Sequence, residues 1–395
     1  MEASATQTRP PGLPALTGLR FLAAFHVLLY HSSRALLPAG ALRDAVSAGP
    51  VAVSLFFLLS GLVLTYSGTT PAGEPTAPPA RFLAARFARI YPLYALALLL
   101  DAPFVLVTLS RAHPARGPFL AAALGAVPAL LLLQAWSPLT ALGWNSPGWS
   151  LSCEGFFYAA WPRVVRALRP AGRGAFWARC ALLWCAAMAP PLAWLALRAR
   201  LPEAGTVPSL LGPLSLDQAI AQALRYTPLL RLPEFLIGIC LGHALRRPAR
   251  SVSPAVATLR ELSALGCAAV AVVWLGSDRS DPVLLDTAAC TPLFAVLLFF
   301  LARGGGVVSR ALGHRWVVAL GNASYALYIL EEPVGSAVSA VLKRLGAGLD
   351  LQAAAVVAGT LLAALAAHRL VELPLCAFIL RRRSRPPALA ASGMS

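Results

Sequence analysis

Apolar segments of about 20 residues recur along almost the whole chain, and they constrain its fold more than any other feature. A helix of that length spans the hydrocarbon core of a bilayer. Only 12% of the 395 residues are charged, against about 25% in an average soluble domain. A globule of this size has too little interior for so many apolar side chains. The sequence therefore predicts an all-α, polytopic membrane protein.

Polar loops divide the apolar sequence into candidate membrane spans. They are Leu13–Ser33, Val51–Ser67, Ile90–Leu109, Phe119–Trp136, Trp149–Pro162, Trp177–Leu197, Tyr226–Leu245, Leu262–Gly276, Leu284–Ala302, Trp316–Leu342 and Leu351–Leu380. We expect residues 13–380 to form one membrane domain. The Pro-, Ser- and Ala-rich ends, 1–12 and 381–395, are expected to be disordered tails, the second of them basic.

Basic clusters between the segments test this count. They lie at 81–89, 163–179, 246–250, 303–315 and 381–385. Such clusters mark cytoplasmic loops, so the net charge of +17 requires no nucleic-acid partner. With both termini in the cytoplasm, however, three complete spans between residues 89 and 163 would place the largest cluster outside.

The conflict disappears if one of these three segments does not cross the membrane. Trp149–Pro162 is the shortest and most polar, since it contains Ser150, Ser152 and Glu154. We therefore predict about ten transmembrane helices, with a re-entrant or partly inserted segment near residues 149–162. Polar backbone at membrane depth normally lines a cavity, so the same segment is a candidate site.

Ionisable residues inside spans are costly and point to function. Arg20 and His31 share the first helix and are 11 residues apart, three turns plus about 20°, so both lie on one face. His26 lies on another face. The alternative is that Arg20 extends to the membrane surface and His31 is an interfacial residue.

Three further groups of polar residues have both functional and structural interpretations. Glu154 follows Trp149 and Ser150 in the segment predicted not to cross, where it is either part of a site or an interfacial carboxylate. Arg86 and Arg89 lie at the start of a helix, where they either bind an anion or set the topology. Tyr325, Tyr328, Glu331 and Glu332 form either a buried cluster or a cavity lining. The i, i+3 pair Arg231 and Glu234 is predicted to be a structural ion pair, and Asp101 and Glu372 structural or interfacial charges. No cysteine or histidine spacing indicates a metal site or a disulfide framework.

The ordered motifs resemble the membrane acyltransferase-3 family over residues 13–380. The shared pieces are Arg20 with His31, Ser54–Gly61, Arg81–Tyr94, Gly148–Tyr158, Arg231–Gly242, Gly321–Leu330 and Val371–Pro374. The resemblance implies acyl-CoA-dependent O-acylation, without a metal. It also implies that Arg20 and His31 are essential, and that Glu154 and the Arg86–Arg89 pair have roles. One departure concerns the Ser-Tyr-x-x-Tyr helix, where Glu331 stands at the position of a common family histidine.

The hypothesis from these residues is acyl transfer to a hydroxyl of a carbohydrate or a glycosylated metabolite at the inner membrane. His31, Glu154 and Arg20 are the catalytic candidates, with His31 as base and Glu154 orienting it or acting as a base itself. Arg20, Arg86 and Arg89 would hold acyl-CoA. Trp149, Ser150, Tyr325 and Glu331 would contact substrate. The alternative is a glycolipid or polysaccharide-precursor transporter; a purely structural membrane partner is disfavoured by the intramembrane charges.

Overall fold

The chain folds almost entirely into helices in a computed structural model that describes residues 10–33, 36–112, 118–200, 205–248, 251–285 and 287–384. The helices are α1 (Pro14–Ser33), α2 (Ala41–Ser47), α3 (Val51–Gly68), α4 (Pro79–Ala112), α5 (Pro118–Leu130), α6 (Trp149–Val164), α7 (Arg173–Leu197), α8 (Leu216–Tyr226), α9 (Pro228–Leu245), α10 (Pro254–Gly276), α11 (Pro282–Leu285), α12 (Thr291–Arg303), α13 (Val307–Leu312), α14 (Arg315–Asn322), α15 (Ser324–Arg344), α16 (Leu349–Ala367) and α17 (Leu373–Ser384). The all-α prediction is confirmed, apart from an antiparallel hairpin of β1 (Thr206–Ser209) and β2 (Gly212–Ser215), which the sequence did not predict.

Six helical segments among the described residues are long and apolar enough to cross a membrane. They are Val51–Gly68, Pro79–Ala112, Arg173–Arg200, Leu216–Leu245, Pro254–Gly276 and Leu349–Arg381. The chain is thus a membrane protein, and the count of about ten stays a prediction. Two predicted spans, Phe119–Trp136 and Leu284–Ala302, correspond to shorter apolar helices, Phe119–Leu130 and Ala288–Arg303.

Two predicted boundaries differ from the observed ones. The predicted span Trp316–Leu342 is divided, because α14 ends at Asn322 and α15 begins at Ser324. Helix α17 continues to Ser384, four residues into the predicted C-terminal tail. Residues 1–9 and 385–395 of the two predicted tails lie outside the described part of the chain.

The segment predicted to be re-entrant or partly inserted is helix α6, and irregular backbone precedes it. Helix α5 runs back along α4, where its last carbonyls accept hydrogen bonds from Tyr91 and Tyr94 at 2.9 and 2.8 Å. Irregular backbone over 131–148 then runs along α4 towards the end of that helix. There the indole N–H of Trp144 donates to the Leu98 carbonyl at 3.0 Å. Helix α6 completes the return. Together α5, the irregular segment and α6 form one interrupted unit between α4 and the basic loop after α6.

The basic loops meet on one side of the bundle, as the sequence predicts. Arg166, after α6, pairs with Glu74 of the loop after α3 at 2.6 Å. Arg247, after α9, donates to the carbonyl of Pro170. Arg303, at the end of α12, donates to the Arg247 carbonyl at 3.1 Å. These contacts place the loops after α3, α6, α9 and α12 on one side; we call it the basic side.

Helices α3 and α9 pack with their backbones in contact. A Cβ added at Gly238 would lie 2.1 Å from the Leu58 carbonyl oxygen, and one added at Gly61 would lie 2.1 Å from the Phe235 carbonyl oxygen. Small residues allow this approach, which drives helix association in lipid where apolar burial gives no gain. Arg231 and Glu234 form an ion pair at 3.1 Å inside the contact, confirming that predicted structural pair.

Gly238→Ala should destabilise the protein by about 1–3 kcal/mol, because the added methyl group must push α9 away from α3. Gly266→Ala, in α10, is the matched control, since a Cβ there meets nothing within 4 Å. Thermal unfolding of the detergent-solubilised variants measures the difference. Equal midpoints for the two variants would contradict the close packing.

Candidate active site

Arg20 of α1 and Arg86 and Arg89 of α4 line one cavity, which we call the arginine cavity. Glu154 and Tyr158 of α6 line the same cavity, which encloses about 890 Å³ of space with its open mouth included. The structure therefore brings together Glu154 and the three arginines that the sequence singled out.

Within the described part of the chain, none of these three guanidinium groups forms an ion pair. Glu154 instead accepts a hydrogen bond from the Tyr158 hydroxyl at 2.9 Å. Arg86 lies over the Phe82 ring, 5.8 Å from its centroid, and its Nε is buried without a hydrogen bond. Three cations and one carboxylate leave an excess of positive charge, which suits a phosphate-bearing ligand.

His31 lies in a second cavity, which we call the histidine cavity, at the opposite end of α1. Its Nδ1 donates to Oε1 of Glu331 at 2.9 Å. The side chain of His31 is 49% exposed, whereas that of Glu331 is 3% exposed. A buried carboxylate thus fixes the ring of an accessible imidazole. A hydrogen bond at Nδ1 leaves the basic lone pair on Nε2, as general-base chemistry requires.

The partner of His31 corrects one expectation from the sequence. Glu154, offered as the carboxylate that orients the imidazole, lines the arginine cavity, and the orienting carboxylate is Glu331. Glu331 was expected to contact substrate, and it stands at the departure from the family motif. Sequence spacing could not reveal the pairing, because the two residues are 300 positions apart. His26 points elsewhere and donates to the Ala45 carbonyl at 2.7 Å.

Two side chains line both cavities: Val53 of α3 and Tyr328 of α15. They are 5% and 7% exposed. We call this pair the septum. Four helices pass from one cavity to the other at this level, namely α1, α3, α6 and α15. The site is therefore two chambers end to end, with cations in one and a histidine–carboxylate pair in the other.

The remaining predicted site residues divide between the chambers. Ser150 and Tyr325 line the arginine cavity, and Trp149 lines the histidine cavity. Tyr325 also donates to the Ile90 carbonyl at 2.7 Å, which ties α15 to α4. Tyr328, which the sequence offered as a possible cavity lining, lines both. The sequence missed the other lining residues of the histidine cavity, namely Val27, Tyr30, Pro50, Val53, Leu142, Ser146, Pro147, Arg225 and Tyr226.

Buried carboxylates hold the irregular segment that walls the histidine cavity. Asp101 accepts the backbone N–H of Asn145 at 3.0 Å, and Glu332 accepts that of Ser146. Asn145 has a left-handed backbone with φ of 44°, and its side chain donates to the Ile329 carbonyl at 3.1 Å. Asp101 is therefore structural, as expected, because irregular backbone at depth needs internal partners.

Glu372 is also structural. It accepts a hydrogen bond from Nδ1 of His368 at 2.8 Å across the π-helical turn His368–Glu372.

Among the described residues, no group of three or more His, Cys, Asp or Glu side chains is arranged to hold a metal ion.

Comparisons with known proteins identify the class of enzyme. A family model described as an acyltransferase domain matches residues 13–369. The chain is 32% identical over 403 aligned positions to acyltransferase MdmB of Streptomyces mycarofaciens, covering 96% of this chain and 95% of that protein. It is 37% identical over 171 positions to protein 2 in the picA locus of Rhizobium radiobacter, covering 40% and 85% respectively. No solved structure gives a significant match.

The chain belongs to the acyltransferase-3 family, and it is an enzyme that transfers acyl groups. The resemblance inferred from the sequence motifs is thereby confirmed.

Asp101→Ala should loosen the wall of the histidine cavity, because the buried Asn145 N–H loses its acceptor at a cost of about 1–3 kcal/mol. Hydrogen exchange of peptides covering 137–148 should become faster, as measured by mass spectrometry. Asp217→Ala, at an exposed position in the first turn of α8, is the control and should leave this exchange unchanged. Unchanged exchange in Asp101→Ala would contradict the role given to this carboxylate.

Proposed function

We propose that the protein is an O-acyltransferase of the inner membrane that moves a short acyl group from acyl-CoA to a hydroxyl of a carbohydrate or a glycosylated metabolite. One observation carries the proposal: three arginines line one cavity, a histidine–carboxylate pair lines another, and the two cavities share Val53 and Tyr328. The first suits the phosphates of a donor, and the second suits deprotonation of an acceptor.

The donor enters the arginine cavity. Guanidinium groups bind phosphate in a bidentate manner, and Arg20, Arg86 and Arg89 are placed for the phosphates or the pantetheine arm of CoA. Arg20 and His31 are about 16 Å apart along the axis of α1, so the extended arm directs its thioester towards His31. Glu154 holds the Tyr158 hydroxyl beside this path and balances part of the arginine charge.

The reaction is a single displacement at the thioester carbonyl. Nε2 of His31 accepts the proton of the acceptor hydroxyl as its oxygen attacks the carbonyl carbon, forming the new C–O bond. The C–S bond then breaks, and the CoA thiolate takes the proton back from the imidazolium. Glu331 keeps the ring oriented and stabilises its positive charge, as a buried carboxylate does in a hydrolase triad.

The acceptor enters the histidine cavity. Its wall is mixed: Tyr30, Trp149 and Tyr226 present aromatic rings, and Ser146, Arg225 and Glu331 present polar groups. Aromatic faces beside several hydrogen-bonding groups suit a ligand that carries both rings and hydroxyls. This lining supports a sugar hydroxyl on a small or amphipathic scaffold as the acceptor.

The orientation follows from the basic side of the bundle. Arginine-rich loops stay in the cytoplasm, and α4 begins at the basic side only a few residues before Arg86 and Arg89. The arginine cavity therefore faces cytoplasmic acyl-CoA, with both termini cytoplasmic and the histidine cavity towards the opposite face.

A glycolipid or polysaccharide-precursor transporter is the alternative. It would use the same cavities as a pathway and leave acyl-CoA intact. Purified protein with acetyl-CoA and an extract of a strain that lacks the gene separates the two. Release of free CoA thiol together with a product heavier by one acyl group supports the enzyme, and neither signal would appear for a transporter.

His31→Ala should lower transfer by about 10²–10⁴-fold, because the hydroxyl loses its base. Glu331→Gln should give a smaller loss, since the amide accepts the Nδ1–H without the charge. Mass spectrometry of acylated products in cells expressing each variant measures both effects. His26→Gln, which keeps a donor towards the Ala45 carbonyl, is the control. Wild-type product levels in His31→Ala would exclude His31 as the base.

Arg89→Ala should weaken coenzyme A binding about tenfold or more, as loss of one charge-assisted hydrogen bond implies. Isothermal titration calorimetry with coenzyme A measures the change. Arg111→Ala removes an exposed arginine from the last turn of the same helix and should leave the affinity unchanged. The clamp is refuted if both variants bind coenzyme A like the wild type.

A further inference from the structure

We propose that the septum selects the acyl group by its cross-section, so that Val53 is a specificity-determining residue that admits unbranched acyl chains and disfavours branched ones. The inference rests on the proposed function, because it takes acyl-CoA as the donor in the arginine cavity. It adds the class of acyl group that can reach His31.

The route between the chambers passes Val53 and Tyr328. These two side chains alone, among the described residues, line both cavities. An acyl group delivered from the arginine cavity must bring its carbonyl carbon to the septum, because the base His31 lies on the other side of it. The hydrocarbon tail leads and the carbonyl follows, so the tail must pass between Val53 and Tyr328.

Both sides of the opening are held in place. The Tyr328 hydroxyl donates to the Pro147 carbonyl at 3.2 Å, and its ring meets Phe56 edge-on with centroids 5.9 Å apart. Val53 lies on α3, whose backbone contacts α9 directly at Gly61. Packed side chains of this kind cannot shift freely to admit a wider group.

A fixed opening discriminates width rather than length. All straight alkyl chains have the same cross-section, whereas a branch next to the carbonyl adds a methyl group at the level of Val53 and Tyr328. Additional carbons in a straight chain extend in line into the histidine cavity beyond. Butyryl and isobutyryl groups contain the same atoms and differ only in branching, so they isolate this effect.

The test is a competition between two donors in one reaction. Purified wild-type protein receives equal amounts of ¹³C-labelled n-butyryl-CoA and unlabelled isobutyryl-CoA, with an extract of a strain lacking the gene as acceptor source. The ratio of heavy to light product in the mass spectrum gives the ratio of kcat/KM for the two donors. We expect the wild type to favour n-butyryl.

Val53→Ala removes two methyl groups at the septum and should raise the ratio of isobutyryl to n-butyryl product about tenfold, the effect of a methyl-sized group in a fitted pocket. Val53→Ile adds one methylene there and should lower the same ratio. Val51→Ala is the matched control: it makes the same change at a buried position of α3 that lines neither cavity, and should keep the wild-type ratio.

The outcomes separate the two proposals. No acylated product and no CoA release with any donor would overturn the proposed function. Product formation with a ratio that Val53→Ala and Val53→Ile leave unchanged, or that Val51→Ala changes equally, would overturn the role of the septum alone. Opposite shifts in the Ala and Ile variants, with no shift in Val51→Ala, would support it.

Discussion

A charged side chain cannot remain in hydrocarbon without a partner or a cavity, and the interior of this protein is arranged around that constraint. Arg231 and Glu234 satisfy it by pairing with each other inside the contact between α3 and α9. Asp101 satisfies it by accepting a backbone N–H. Among the described residues, the arginines at 20, 86 and 89 instead line a cavity without an ion pair. Charges with partners hold the bundle together, and those that face a cavity are the ones that we propose bind the charged donor.

The membrane character and the residues of the site could be predicted because both depend on local sequence. Apolar length and scarce charge identify spans, and the 11-residue interval between Arg20 and His31 places both on one face of α1. The positive-inside rule also found the region where helices are interrupted. The segment that it singled out is the helix Trp149–Val164, and irregular backbone precedes that helix. Helix ends in that region depend on tertiary hydrogen bonds to Tyr91, Tyr94 and Asp101, which no local pattern encodes.

The pairing of the active-site groups could not be predicted, because it depends on how distant helices align. The sequence predicts different roles for Glu154 and Glu331: the first orients the base or acts as one, and the second contacts substrate. The relative direction of their helices decides which of them meets His31. Span counting does not fix that direction where the helices are interrupted, as they are before α6.

The direction of each helix through the septum explains why the chemistry divides as it does. Helices α1 and α15 run from the arginine cavity to the histidine cavity, whereas α3 and α6 run the opposite way. On α15, residues after Tyr328 therefore lie towards the histidine cavity, and Glu331 contacts His31. On α6, residues after Trp149 lie towards the arginine cavity, which Glu154 lines together with the arginines.

In the proposed mechanism, a carboxylate at position 331 is consequently suited to orient His31 as the base, while the one at 154 is suited to the donor side. The family's usual histidine at position 331 could not orient His31 by charge, so the exchange for glutamate changes how this site sets the imidazole. Glutamate at position 331 leaves the arrangement of the two cavities unchanged, because that arrangement depends on how the helices pack and not on the side chain at position 331.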